Sequence, residues 1–283
     1  MTKKIALISD IHGNLTALEE VILDAKKHGV SDFWLLGDFI LPGHGDKDLL
    51  DLIVSLPNTI FIRGNWDDSF IEAIEGKYDL DHPTNIYLMK LSRYLKNRVT
   101  KSEIEFLKTL PDHKIIEAEG LKFIVMHNFP DKNWGGELAH NAKQENFDNL
   151  FAANNCDVVI YGHIHMQVLR YGKDGQLIIN PGSVGSPYNL LDEFKKDLRA
   201  HYAILDIDDF GITPIFRKIP YSIEQELNRA KEKGLPFLKL YEKLIRLGIS
   251  STHDSEALEE IIEKESYLSD VNDFLKELRN TEN

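Results

Sequence analysis

Residues 156 to 165, Cys156-Asp157-Val158-Val159-Ile160-Tyr161-Gly162-His163-Ile164-His165, decide how the chain is read. Val158 to Tyr161 is apolar without alternation, the pattern of a strand buried on both faces, and Gly162 marks where the chain leaves the sheet at its carboxyl edge. Two histidines follow at that edge. Continued in extended form, the chain projects His163 and His165 to one face and turns Ile164 back toward the core. A lone histidine beside a strand is ordinarily a surface residue, but a pair aimed together needs partners from elsewhere in the chain.

The same pattern recurs on either side. Lys3 to Asp10 reads as a buried strand ending on an acid, followed by His12 and Asn14. Asn14 suits the N-cap of a helix with Leu15, Leu18, Val21, Ile22 and Ala25 on one face, closed by Gly29. A second strand, Asp32 to Gly37, ends on Asp38, and a third, Thr59 to Ile62, runs into Gly64, Asn65, Trp66 and Asp67. Leu121 to Met126 delivers His127 and Asn128. Between them, about residues 69 to 111 read as an inserted helical layer: Ile86, Leu88, Met89, Leu91, Tyr94 and Leu95 form one stripe, and Thr100 with Glu103 a capping box. Downstream, Gln176 to Ile179 precedes an Asn180-Pro181-Gly182-Ser183 turn, and strands follow near 202–207 and 212–219. Beyond Pro220 the chain turns to charged helix formers, with breaks near Gly234 and Gly248. The organisation expected is a domain over 1–220 and a helical extension over 221–283, whose role is packing or, more sharply, a lid or subunit contact.

Collected together, the polar residues at strand ends are Asp10, His12, Asp38, Asn65, His127, His163 and His165. Carboxylates, imidazoles and one amide oxygen are material for two metal ions of borderline character, Mn(II), Fe or Zn, and the lack of thiolates argues against a structural zinc. Paired ions of this kind clamp an in-line displacement at phosphorus. Bulk properties agree with a soluble enzyme, since 42% of the 283 residues are hydrophobic and 28% charged. A formal charge of −13 argues against broad, non-specific nucleic-acid binding. Cys156 is the only cysteine, so no intrachain disulfide forms, and the Ile5 to Ile8 run is too short for a secretory core. No stretch approaches a membrane span, so the expected location is the cytoplasm.

Asp10-Ile11-His12-Gly13-Asn14, Gly37-Asp38, Gly64-Asn65, His127 and Gly162-His163-Ile164-His165, taken in this order, resemble the signature of the calcineurin-like metallophosphoesterases over roughly residues 4 to 219. The resemblance implies an α/β fold of two β-sheets sandwiched between helices in four layers, where the local pattern alone suggests one doubly wound sheet. It also implies one metal on Asp10, His12, Asp38 and His165 and another on Asn65, His127 and His163. Asp38 would bridge them, the ions would be Mn and/or Fe with Zn an option, and the attacking group would be the hydroxide between them. Asp38, Asn65, His127 and Asp67 are the expected catalytic residues. Asn14, Trp66, Asn128, Asn180 and Ser183 are the expected substrate contacts, although Asn14 is equally a helix cap, and the turn itself accounts for Asn180 and Ser183.

The chain is most similar to the small bacterial and archaeal phosphodiesterase branch, sometimes called the YfcE-like group, which shares the short loops and the Asn180-Pro-Gly-Ser183 turn. That implies hydrolysis of phosphodiester or phosphoanhydride bonds. The substrates expected are aryl diesters and dinucleoside polyphosphates such as diadenosine tetraphosphate, cut asymmetrically; a homo-oligomer stays open. Protein phosphatases of the superfamily follow Gly-Asp with Asp-Arg-Gly, whereas Phe39-Ile40-Leu41-Pro42 stands here. That disfavours the protein-phosphatase alternative and leaves a phosphomonoesterase of the same superfamily open. A non-catalytic scaffold, like a eukaryotic retromer subunit of similar fold, is the alternative outside enzymes. Trp66 stands where many members carry the histidine that is the candidate for protonating the leaving oxygen. It therefore favours leaving groups that need no proton and either stacks on a base or packs under the site. His44 and His201 are within conceivable reach of a substrate, while His82, His113, His140 and His253 read as surface residues.

Overall fold

Strand β1 (Lys3–Ile8) shows how the layers arise: Ile5 and Leu7 belong to one buried cluster and Ala6 and Ile8 to another, so both faces are covered. The computed structural model describes residues 3–281. After β1 come α1 (Leu15–Lys27), β2 (Asp32–Leu35), α2 (Lys47–Val54) and β3 (Thr59–Phe61). Three helices follow, α3 (Asn65–Ile74), α4 (Pro83–Lys96) and α5 (Lys101–Thr109). The sheet pattern then resumes with β4 (His113–Ala118), β5 (Leu121–Met126), α6 (Gln144–Asn154), β6 (Val158–Ile160), β7 (Gln167–Tyr171) and β8 (Leu177–Pro181). A β9–β10 hairpin (Ala200–Asp208, Gly211–Ile219) leads into α7 (Ile223–Glu232), α8 (Leu238–Leu247), α9 (Ser255–Lys264) and α10 (Tyr267–Thr281). The starts obey the capping chemistry of the sequence: Asn14 accepts from Ala17 N–H at α1, and Thr100 and Glu103 make a reciprocal box at α5.

The strands form two five-stranded sheets, in the orders β10-β9-β1-β2-β3 and β4-β5-β6-β8-β7. Within the first, β1, β2 and β3 are parallel; within the second, β5, β6 and β8 are. The sheets pack face to face through Ile5, Leu7, Trp34 and Leu205 on one side and Phe123, Val125, Ile160 and Ile179 on the other. Trp34 meets Phe123 edge to face at 5.3 Å between ring centroids. Outside the first sheet lie α1 to α5 and α7 to α10, contributing to one apolar cluster; outside the second, Phe147, Leu150 and Phe151 of α6 cover Ile124, Val159 and Tyr161. The result is a four-layer α/β sandwich. A single doubly wound sheet is corrected, because β1 and β5 head different sheets even though their sequences carry the same signal.

Edge strands β4 and β7 are absent from the sequence reading. Their burial is intermittent, with Lys114, Ile115, Leu169 and Tyr171 exposed, so neither presents a continuous apolar run. No helix among the described residues is long and apolar enough to cross a membrane.

Candidate metal centre

The parallel strands of both sheets end at one place. Loops after β1, β2 and β3 bring Asp10, His12, Asp38 and Asn65, and loops after β5 and β6 bring His127, His163 and His165. Backbone bonds stitch these loops together: Asp10 N–H donates to Gly37 O, His12 N–H to Asp38 O, and Gly162 N–H to His127 O. Two glycines permit the close approach, because a Cβ on Gly64 would strike Asp38 and one on Gly162 would strike Ser9. Asp10, His12, Asp38, His163 and His165 all occupy the left-handed region, with φ between 51° and 66°. Such backbone costs about 1 kcal/mol or more per non-glycine residue and concentrates at functional sites.

That conformation corrects the extended reading of residues 163–165. The two histidines are not side by side on one face. His165 Nε2 lies 3.2 Å from Asp10 Oδ1 and 3.1 Å from His12 Nε2, whereas His163 Nδ1 lies 2.9 Å from Asn65 Oδ1. Ile164, half-buried, packs on the cluster containing Phe147 and Tyr161 as expected, but also borders the cavity above the site.

Each carboxylate is divided between backbone and site. Asp10 Oδ2 accepts His163 N–H at 3.1 Å and Asp38 Oδ1 accepts Trp66 N–H at 2.8 Å. The remaining oxygens face imidazoles: Asp38 Oδ2 is 3.6 Å from His12 Nε2 and 3.5 Å from His127 Nε2, and Asp10 Oδ1 is 3.9 Å from each. On the other side of those rings, His12, His127 and His165 present Nδ1 to the carbonyls of Leu41, Leu36 and Ser186 at 2.9, 2.6 and 2.6 Å. An Nδ1–H donated to a carbonyl leaves Nε2 as a lone pair, the arrangement that outer hydrogen bonds impose on metal-binding histidines. Three such lone pairs converge on two carboxylates, one of whose oxygens, Asp10 Oδ1, is buried without a hydrogen bond. A divalent cation fits this donor set.

Two overlapping groups emerge, Asp10 with His12 and His165, and Asp10 with Asp38 and His127, their donor atoms lying within 4.8 Å of one another in each. Asn65 Oδ1 adjoins the second, 3.1 Å from His127 Nε2. His163 stands apart, since its Nε2 accepts from Gly135 N–H at 3.2 Å, and ligation through Nδ1 would require that contact to open. Electrostatics favour positive charge here. Burial alone would raise Asp10, yet His165, His127 and His12 hold it well below the usual carboxylate range. Burial disfavours a charged His127, but Asp38 outweighs it and lifts the imidazole to about 10. His163 goes the other way, pushed down to about 4 by burial and by His127.

Several expected contacts have other partners. Asp67 is fully buried and accepts from the N–H groups of Asp38, Phe39 and Gly64 at 2.9, 3.1 and 2.9 Å; burial and the Asp38 charge push it up to about 7. Its carboxylate ties the β2 and β3 loops together, and it is not among the residues that line the cavity. Asn14 is a buried cap of α1, not a substrate contact. Asn180 is buried between Gly162 O and Gly182 N–H, and Ser183 donates to Asp10 O and accepts from Ser186 N–H, so both brace ligand loops. Asn128, also buried, donates to Gly135 O. His44 is buried 3.1 Å from Glu226 Oε1, and His201 is buried with neither ring nitrogen hydrogen-bonded, so neither reaches a substrate.

Trp66 does border the site. Its ring meets His12 edge-on at 5.6 Å and also packs on the helical cluster, so it packs beneath the site and borders it at once. It lines a cavity of about 390 Å³ with His12, Asn65, His163 and His165 on the floor and Tyr188 on a wall. The far wall was not foreseen. It comes from Leu244, Gly248, Ser250, Thr252 and His253 of the carboxyl-terminal helices. No local signal ties His253 to ligands so distant in sequence; only the polar run Ser250-Ser251-Thr252-His253 between two helices marks an ordered loop.

Residues 4–209 match the model of the calcineurin-like phosphoesterase superfamily domain. The chain is 31% identical to the uncharacterized protein MJ0912 of Methanocaldococcus jannaschii, over 82% of this chain and 93% of that protein. It is 26% identical to the phosphodiesterase YfcE of Escherichia coli, over 74% and 90% respectively. Among solved structures, a metallophosphoesterase from Sphaerobacter thermophilus superposes with a TM-score of 0.66 at 25% identity, covering 87% of this chain and all of that one.

Proposed function

The chain belongs to the calcineurin-like phosphoesterase superfamily, and from that premise we propose that it is a two-metal phosphodiesterase whose substrates include dinucleoside polyphosphates and aryl diesters. The observation that carries the reading is the convergence of His12, His127 and His165 Nε2 on Asp10 and Asp38, with every Nδ1 facing a carbonyl. Asp38, whose Oδ2 lies 3.6 Å from His12 Nε2 and 3.5 Å from His127 Nε2, would be placed to bridge two ions, with Asp10 common to both donor groups. When bound, the ions supply Lewis-acid charge to the phosphoryl oxygens and to the attacking water. Mn and Fe suit this oxygen and imidazole set, with Zn also accommodated.

The chain's own residues do the rest. Asp10 and Asp38 supply the negative charge that favours a bound cation, and the carbonyls of Leu36, Leu41 and Ser186 fix the rings that would hold it. Asn65, on the floor beside His127 and His163, orients the phosphate. A diester, not a monoester, is favoured by the similarity to the E. coli phosphodiesterase. A nucleotide-bearing substrate is favoured by the indole of Trp66 and the phenol of Tyr188, two aromatic surfaces for a base in one cavity.

The test is Mn(II)-dependent hydrolysis of bis(4-nitrophenyl) phosphate and diadenosine tetraphosphate by the purified protein beside Asp38→Ala. Both substrates should be cleaved by wild type, and the variant should lose at least about 100-fold, as expected when a metal bridge and its charge are removed. Release of ATP and AMP marks the asymmetric cut, and two ADP the symmetric one. Activity that is independent of metal, or retained in Asp38→Ala, overturns the two-metal reading.

A further inference from the structure

The indole of Trp66 occupies the position after Asn65 and has no proton to give at neutral pH, so proton delivery to a departing alcohol must come from another wall of the cavity. The floor histidines are committed. His12 and His165 face Asp10, and His163 is held between Asn65 and Gly135. Across the cavity, Ser250, Thr252 and Tyr188 offer hydroxyls, which are poor acids, and His253 offers an imidazole outside the ligand set.

We infer that His253, carried by the α8–α9 loop, is the general acid that protonates the leaving oxygen. The inference rests on the phosphodiesterase reading above and adds to it a catalytic residue from outside the matched domain, which ends at residue 209. The backbone of the loop is anchored on both sides of this residue. Before it, α8 stops at Gly248, in the left-handed region at φ 67°, and Thr84 Oγ1 of α4 donates to Thr252 O at 2.8 Å. After it, Asp254 caps α9 by accepting Ala257 N–H at 3.2 Å, while Asp254 N–H returns to Ser251 O. His253 is exposed and borders the same cavity as His12, Asn65, His163 and His165, so it faces the space a substrate would fill.

The chemistry balances without a further reactant. A water oxygen bonds to phosphorus while the bond from phosphorus to the leaving oxygen breaks. The electron pair of that bond goes to the leaving oxygen, which takes the ring N–H proton of protonated His253 and departs as an alcohol. The attacking water loses its proton to solvent, and His253 regains one from solvent, so the sum is diester plus water giving monoester plus alcohol. A general acid of this kind contributes about 10² to 10⁴ in rate, and most where the leaving group is a weak acid.

The deciding experiment compares His253→Gln with wild type, both loaded with the same metal to equal content, on diesters whose leaving groups run from 4-nitrophenol through phenol to a ribose hydroxyl. Loss is expected to grow along that series, reaching about 100-fold for the ribose and staying at least about tenfold smaller for 4-nitrophenol. Trp66→His in the His253→Gln background should recover part of the phenol and ribose activity by restoring an acid on the opposite wall. Independently of turnover, the His253 ring resonances of the Zn(II)-loaded, histidine-labelled protein should shift on titration with inorganic phosphate. Equal loss on every leaving group, no loss, or an unmoved His253 resonance overturns the inference while leaving the phosphodiesterase reading in place. A wild-type enzyme inert on all diesters overturns both.

Discussion

Asp67 illustrates how much of this site is decided by single side chains that never touch a substrate. From the sequence it is one more acid beside Asn65, and an acid there reads as catalytic. What the sequence does not carry is the position of three amides from two different loops. Its carboxylate joins Asp38 and Phe39 to Gly64, and so sets the approach of the β2 loop to the β3 loop. Each buried amide left without an acceptor costs about 1–3 kcal/mol. Asp67→Ala should therefore lower the melting temperature of even the metal-free protein and, by releasing Asp38, weaken Mn(II) binding about 10- to 100-fold, the usual cost of removing an outer partner. Calorimetric titration with Mn(II) reads this directly. Metal affinity equal to wild type, with activity lost, would return Asp67 to the catalytic list. The donors themselves were legible because each follows a short, largely apolar strand. Their left-handed backbone was not, since nothing local takes Asp10, His12 or His165 out of extended geometry; it belongs to loops packed as closely as Gly64 on Asp38 and Gly162 on Ser9.

At the scale of elements, the carboxyl-terminal helices raise the question of lid against core. Their helical character and the breaks near Gly234 and Gly248 were readable, because composition and turn chemistry are local properties. Where those helices dock was not. Leu227, Phe237, Tyr241, Leu244, Leu258, Val271 and Phe274 are buried in the same cluster as Leu18, Tyr87 and Leu91 of α1 and α4. Beneath them Glu226, fully buried, accepts Thr16 N–H at 3.2 Å and Tyr241 O–H at 2.6 Å and faces His44 at 3.1 Å. We propose that the extension is core first and cavity wall second. Deleting residues from 221 onward would expose that cluster and strip Glu226 from His44 and Thr16, so the shortened chain should lose its cooperative thermal transition and accumulate as aggregate. Circular dichroism and size-exclusion of the truncated protein decide the matter. A monomeric, sharply melting product that still hydrolyses bis(4-nitrophenyl) phosphate at the wild-type rate would make the extension a dispensable lid.

For the molecule as a whole, the metal centre sits where two separate sheets end. The β1–β2–β3 sheet contributes Asp10, His12, Asp38 and Asn65, and the sheet of β5 and β6 contributes His127, His163 and His165. Sequence order interleaves nothing between these sets, which is why the donor list could be read without knowing that two sheets were involved. An ion held by Asp10 and His165 would span the seam between them, as would one held by Asp38 and His127. Cation binding is therefore linked to folding of the entire sandwich, because neither sheet alone holds a complete donor set and the unfolded chain holds none. At free Mn(II) of 100 times its dissociation constant, linkage stabilises the folded state by about 2.7 kcal/mol per site. For a chain of this size each kcal/mol moves the melting temperature by about 2–4 °C, so one occupied site should raise it by about 5–10 °C over the chelator-treated protein. Two occupied sites should raise it further. Asp10→Ala, which removes the ligand common to both groups, should erase nearly all of the increment, whereas His163→Ala, whose ring is engaged by Asn65 and Gly135, should spare the greater part. Thermal melts of the three proteins with chelator and with Mn(II) test the scheme. An increment that survives in Asp10→Ala would place the cations elsewhere and uncouple the seam from metal binding.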